Sequence, residues 1–210
     1  MFELRWHQRL QLGSKNFCSE QKIYMEEKLT GKIQVYTGDG KGKTTAALGL
    51  SIRAISQGLN VKIVYFDKGG DFYGERKILD FLIAGGHSIN YQVTGLPRFN
   101  PETQKFRFGV TDDDKAEGKK GLEIVKEIFA NPKKTDILIL DEINPALALG
   151  IIELAEVLEI LQNKPEKVEL ILTGRNAHNE VVALADLVTE MKPVKHYFDQ
   201  GLSARKGIEY

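Results

Sequence analysis

The strongest chemical signal in this chain is the run Gly38-Asp39-Gly40-Lys41-Gly42-Lys43-Thr44. Glycines let the main chain curl so that successive N–H groups point into one hollow. A helix beginning at Lys43 adds its own free N–H groups and the positive end of its dipole. Such a hollow suits a polyphosphate. Lys43 then offers a point charge to phosphate oxygens, and the Thr44 hydroxyl offers a ligand to Mg²⁺ or Mn²⁺. The pattern G-x-x-x-x-G-K-S/T is met except at its first position, where Thr37 stands for glycine. A plain glycine-rich turn followed by a lysine is the competing reading. It leaves unexplained why strand, lysine, hydroxyl and helix arrive in the right order. Thr37, Gly38, Asp39, Gly40, Lys41, Gly42, Lys43, Thr44 and Thr45 are therefore the nucleotide-binding candidates.

Other groups suit the same chemistry. Asp141 and Glu142 follow the apolar residues Ile137 to Leu140. A carboxylate ending a buried strand beside a phosphate loop is the expected partner of Mg²⁺, directly or through water, and either residue fits. A solvated strand-end pair or a helix cap is the alternative. Arg53 lies one helical face along from Lys43, and Arg175 follows a strand; each is placed to meet phosphate, or to be an ordinary surface arginine. His7, His87, His178 and His196 show no metal-ligand spacing. Phe72, Tyr73, Phe99, Phe106 and Tyr197 could stack on a flat ligand, though such residues more often serve packing.

These groups need elements to hold them. Lys32 to Thr37 reads as a strand and Lys43 to Gln57 as a helix closed by Gly58. Val61 to Phe66 is a second strand, ending in the flexible Asp67-Lys68-Gly69-Gly70-Asp71. A helix opens at Gly74, and Ile89 to Val93 is a third strand. Thr94 to Gly109 reads as a long polar and aromatic loop. Thr111 and Asp114 form a capping box for a helix running to about Ala130. Strands at Asp136 to Leu140 and Val168 to Thr173 flank a helix over Ile151 to Gln162. A short helix near Glu180 to Ala185 precedes Leu187 to Met191. Apolar strands alternating with helices imply a three-layer α/β fold around a mostly parallel sheet. With the phosphate loop, this is the P-loop NTPase class of RecA-like kind. Ligands of such sheets sit beyond the carboxyl ends of the strands. The segments Gly38 to Thr44, Asp67-Lys68, Asp141-Glu142 and Gly174-Arg175 are expected to converge there.

Composition excludes several classes. Lysine plus arginine and aspartate plus glutamate each number 29, so the net charge of +0 argues against a nucleic-acid or membrane partner. The one cysteine, Cys18, permits no intrachain disulfide and no cysteine metal cluster, and points to the cytoplasm. No apolar run is long enough to span a bilayer, and the charged first residues lack the apolar centre of a signal peptide. Residues 1–30 read as an arm, either flexible or folding over a neighbour, and residues 31–210 as one domain.

From Gly31 to the end, the chain resembles the P-loop type ATP:corrinoid adenosyltransferases. The likeness begins with Gly31 to Ala47, where that family also has Thr at the first loop position. It continues in order through Arg53-Ala54, Lys68-Gly69, Gly74-Glu75-Arg76, Thr94-Gly95 and Glu102-Thr103-Gln104. Leu140-Asp141-Glu142 and Leu172-Thr173-Gly174-Arg175 follow, then Ala185 to Glu190, Lys192 to His196, Phe198 to Gly201 and Gly207 to Tyr210. The resemblance implies attack of a cobalt(I) corrinoid on C5′ of ATP, giving a cobalt–carbon bond and free triphosphate. It implies that Thr44 and Glu142 hold the metal, that Lys43 and Arg53 bind phosphates, and that the enzyme is a homodimer. An electron donor protein would supply reduced cobalt. It also implies aromatic residues pressed beneath the corrinoid from the segment between Thr94-Gly95 and Gln104. That segment here, TGLPRFNPETQ, is longer than the family form and lacks its tryptophan. Phe99 is the residue left to keep part of that role, with Thr94 and Gly95 beside it on the corrinoid side.

Two other functions remain open to the sequence. One is a small-molecule phosphotransferase with Arg98 and Arg107 on a lid. The other is a nucleotide-dependent binding switch.

Overall fold

A computed structural model describes residues 30–71, 73–100 and 105–209. The expected N-terminal arm, apart from Thr30, and Phe72 lie outside the described residues. The main sheet has six strands: β1 (Ile33–Thr37), β2 (Val61–Tyr65), β3 (Ile89–Val93), β6 (Ile137–Asp141), β7 (Glu169–Thr173) and β8 (Leu187–Glu190). Their order is β3-β2-β6-β7-β1-β8, and every pairing is parallel. The expected mostly parallel sheet is thus wholly parallel. Strand β7 lies between the strand that leads into the glycine loop and the strand that ends in Asp141.

The sheet is covered on both faces, and alternation along each strand sets which residue faces which layer. Val35, Val64, Leu138, Leu140, Leu170 and Leu172 point to one side. There they meet α3 (Asp112–Ala130), α4 (Ile143–Ala148), α5 (Leu154–Gln162) and α6 (Asn179–Leu184) through Leu122, Val125, Ile143, Ile160 and Val181. Val61, Ile63, Ile137, Ile139 and Ile171 point to the other side. They meet α1 (Lys43–Ser56) and α2 (Glu75–Ala84) through Ala47, Ala54 and Leu79. Leu138, Leu140, Leu170 and Leu172 are completely buried, each contributing about 1.5–3 kcal/mol of burial free energy.

Besides the short helix α4, which the sequence reading did not contain, two details differ from it. The helix expected from Ile151 begins at Leu154, with Glu153 and Glu156 forming a capping box ahead of it. The long loop after β3 contains a two-stranded antiparallel ribbon, β4 (Phe99–Asn100) with β5 (Lys105–Phe106).

The foot of this ribbon is fixed by ion pairs. Arg98 Nε donates to both oxygens of Asp67, at 2.8 and 2.7 Å, and Arg98 Nη1 to the Gly109 carbonyl at 2.8 Å. Arg107 clamps Asp114 through two bonds of 2.7 and 2.6 Å. Asp114 also accepts from the Thr111 N–H and hydroxyl, at 2.8 and 2.9 Å, within the capping box that starts α3.

The Arg107 bonds hold the Asp114 carboxyl well below the usual carboxylate range; burial opposes them, and the Thr111 bonds add to the lowering. Folded Asp114 therefore binds a proton less readily than unfolded Asp114. Its contribution is fully present above about pH 4 and is lost as pH falls further towards the depressed folded value. Arg107→Ala is expected to cost about 1–2 kcal/mol at neutral pH, with Arg107 partly solvated. In urea titrations the gap between variant and parent should narrow below about pH 4. A gap that does not change with pH would show that the clamp is not what holds this carboxylate ionised.

Candidate functional site

The glycine loop joins β1 to α1. Helix α1 starts on Gly42, at φ 120°, with no side chain capping its first turn and no acidic residue within it. Its first N–H groups have no partner inside the helix and point into the loop. Gly38 and Gly40 are required by their neighbour as well as by the bend. A Cβ on Gly38 would lie 2.5 Å from the Met191 carbonyl oxygen, and one on Gly40 2.7 Å from the same atom. Met191 N donates to Thr37 O at 2.8 Å, and Gly40 N donates to Met191 O at 2.6 Å, so the chain leaving β8 props the loop. The Thr37 hydroxyl, in the position where glycine is usual, accepts from Ala177 N at 3.2 Å and ties in the segment after β7.

Lys43 is buried. Its ammonium donates to the carbonyls of Gly38, at 2.6 Å, and Gly40, at 2.8 Å. Burial pushes it below the usual lysine range, with Glu142 pulling the other way and Arg175 adding to the fall. Asp39 and Thr45 are exposed. Lys41 is tied to the tail through the Ile208 carbonyl and Glu209 Oε1, the latter at 3.1 Å.

The carboxylates come from the end of β6. Asp141 is buried, with Oδ1 accepting from the Thr173 hydroxyl at 2.7 Å. Its Oδ2 lies 3.4 Å from Thr44 Oγ1. Glu142 has a left-handed backbone, at φ 61°, and its N–H donates to Thr173 Oγ1 at 3.1 Å. That conformation costs a non-glycine residue about 1 kcal/mol or more, and it turns the chain sharply out of the strand into α4. Gly174, at φ 121°, allows the neighbouring strand end to approach, since a Cβ there would lie 2.1 Å from Pro145 Cδ.

Between the loop and the carboxylates lies Lys68, from the segment after β2. Its ammonium is 2.6 Å from Asp141 Oδ2, 3.0 Å from Thr44 Oγ1 and 3.7 Å from Glu142 Oε1. Burial alone would lower its proton affinity, but the charges of Asp141 and Glu142 prevail and hold it above the usual lysine range. Burial pushes the Glu142 carboxyl up, Lys68 opposes this, and Asp141 adds to the rise.

The structure thus brings together the loop, Lys43, Thr44, Asp141 and Glu142. Arg175 joins them from the far side, its Nη2 donating to the Asp39 carbonyl at 3.3 Å. Arg53 is not brought in. It is exposed in the last turn of α1, on the order of 15 Å along the helix axis from Lys43. Thr94 is buried with its hydroxyl donating to the Tyr65 carbonyl at 3.1 Å. Gly95, at φ 128°, permits a close pass over Asp67, whose Cα a Cβ would meet at 2.6 Å. Both residues serve the fold of their loop. The backbone of Phe99 lies in β4, paired with Phe106.

Lys68 was legible only as one member of a converging set. Its position between Thr44 and Asp141 depends on β2 pairing with β6, which spacing along the chain does not reveal.

Arg98 and Arg107, the arginines that a phosphotransferase lid would use, are both bound to carboxylates at the foot of the ribbon. Residues 29–210 match the family described as ATP:corrinoid adenosyltransferase BtuR/CobO/CobP. The chain belongs to that family. It is therefore an enzyme of the ATP:corrinoid adenosyltransferase class.

Curated relatives match over all or nearly all of the chain. The chain is 37% identical over 210 residues to the corrinoid adenosyltransferase CobA of Salmonella typhimurium, covering 100% of both chains. It is 35% identical over 210 residues to the corrinoid adenosyltransferase of Escherichia coli K12, again covering 100% of both. A corrinoid adenosyltransferase of Sinorhizobium is 35% identical over 202 residues, covering 96% of this chain and 90% of its own.

Proposed function

We propose that this site grips the triphosphate of ATP so that the cobalt(I) of a corrinoid attacks C5′. The cobalt lone pair forms the Co–C bond, the C5′–O bond breaks, and its electrons leave with triphosphate. No protein nucleophile is needed. The protein's part is placement and stabilisation of charge. Negative charge grows on the leaving triphosphate, which the loop N–H groups, Lys43 and Arg175 are positioned to receive. The observation that carries this reading is the buried Lys43 ammonium at the uncapped start of α1, next to Thr44, whose hydroxyl lies 3.4 Å from Asp141.

The donors Thr44 Oγ1, from the first turn of α1, and Asp141 and Glu142, from the end of β6, are hard oxygens, and they fit Mg²⁺ or Mn²⁺. When bound, the metal supplies positive charge to the triphosphate oxygens. Thr173 fixes one Asp141 oxygen and leaves the other turned towards Thr44. The corrinoid would approach from the side of the β4–β5 ribbon, where Phe99 stands for the family's aromatic residues. We place the reaction in the cytoplasm, in a homodimer fed with reduced cobalt by a separate electron donor. The single cysteine and the family membership support that setting.

The test is to mix protein, Mg-ATP and chemically reduced corrinoid. Triphosphate and a light-sensitive alkyl-cobalt spectrum are expected in equal amounts. ADP as the phosphate product, with no such spectrum, would overturn the reading.

A further inference from the structure

The three oxygen donors assigned to the metal already share a cation, Lys68. Its side chain is only 12% exposed. It also lies over the rings of Tyr65 and Tyr73, at 5.8 and 5.5 Å from their centroids. The backbone beneath it is held. The Arg76 guanidinium donates to the carbonyls of Lys68 and Gly70. A Cβ on Gly69 would come within 2.3 Å of the Leu96 carbonyl carbon, so the chain is pressed against that segment. What can move is the flexible four-carbon stem.

An ammonium and a divalent cation compete for these oxygens, because at such spacing their repulsion is strong. Lys43 is not in this competition, since its ammonium is engaged by the Gly38 and Gly40 carbonyls. We propose that Lys68 is a built-in counter-ion that keeps the metal position closed until a triphosphate arrives. This rests on reading the loop as a triphosphate site. Without nucleotide, the ammonium neutralises Asp141 and Glu142, and free metal must displace a tethered competitor. With a triphosphate in the loop, the ammonium gains an anion to turn to, and the oxygens it leaves take the metal. Metal and nucleotide then bind cooperatively, each strengthening the other by the same factor. Lys68 is a positioning residue that couples the two ligands.

The experiment is Mn²⁺ binding followed by electron paramagnetic resonance, with and without ATP and with no corrinoid present. The parent protein should bind Mn²⁺ weakly alone and much more tightly once ATP is bound. Lys68→Met should bind Mn²⁺ alone about tenfold more tightly, so the strengthening that ATP adds should be about tenfold smaller than in the parent. Lys68→Gln, which keeps a polar group near Asp141, should behave the same way and guards against a folding defect in the methionine variant. Adding Asp141→Asn to either variant should abolish the gain, which locates it at this site. Unchanged Mn²⁺ affinity in both variants, or a gain that survives Asp141→Asn, would overturn the proposal. If neither variant folds, tight Mn²⁺ binding by the nucleotide-free parent overturns it and weak binding supports it. None of these readings needs Co–C bond formation. A protein that makes triphosphate but shows no Lys68 effect sinks this inference alone. One that shows the Lys68 effect but forms no Co–C bond sinks the functional reading alone.

Discussion

Replacing Lys43 by alanine is expected to lower kcat/KM for adenosyl transfer by about a thousandfold, the scale on which a preorganised charge donor to a leaving group acts. The fold should survive. Among the described residues the Lys43 ammonium bonds to carbonyls of its own loop, Gly38 and Gly40. Alanine is also the best helix former for the first turn of α1. Thermal unfolding should therefore shift by only a few degrees, while steady-state kinetics with Mg-ATP and reduced corrinoid collapse. Arginine is not expected to rescue, because its planar fork cannot enter a space shaped for a point charge beneath the Gly40 carbonyl. Near-normal turnover in the alanine variant would mean that the triphosphate does not lie in this loop.

Much of this arrangement could be read from the residues in order. The inner strands β2, β6 and β7 are mostly apolar runs bounded by polar or glycine-rich turns. Burial on both sheet faces favours such runs, so their positions follow from composition alone. The convergence of the glycine loop, Lys68, Asp141-Glu142 and Arg175 follows from where a parallel sheet places its strand ends. Three features were not legible. Helix α4 is short, carries Pro145 and begins on a left-handed Glu142, so it leaves no helical period to detect. The β4–β5 ribbon has two residues in each strand, too few for alternation to show. Arg53 looked close to the loop because it shares a helix with Lys43. A helix separates residues along its axis as surely as it aligns them on a face, and Arg53 stands in its last turn.

Asp141→Asn should impair both stability and catalysis, because one carboxylate serves both. Asp141 is 1% exposed, and its two oxygens are divided between Thr173 and Lys68. An amide has the same shape but one acceptor and no charge. The Thr173 bond can persist, but the group then facing Lys68 is a donor or a neutral oxygen. Lys68 is left buried with Glu142, 3.7 Å away, as its ion-pair partner among the described residues. Breaking a buried pair by neutralising one member is expected to cost about 3 kcal/mol, measurable by urea unfolding. Turnover should fall by roughly a hundredfold or more, and should recover only partly at high Mg²⁺, because the charge that draws in the cation is gone. The two losses can be separated. Combining Asp141→Asn with Lys68→Met removes both charges together. The double variant should then be more stable than the sum of the single effects predicts, by about 1–3 kcal/mol, because no unpaired ammonium remains. Its turnover should stay low, since pairing with Lys68 accounts for the stability of this carboxylate but not for its part in holding the metal. Simple additivity in unfolding would show that the two residues do not act on each other in the folded protein. Restored turnover in the double variant would show that Asp141 serves the reaction only by neutralising Lys68.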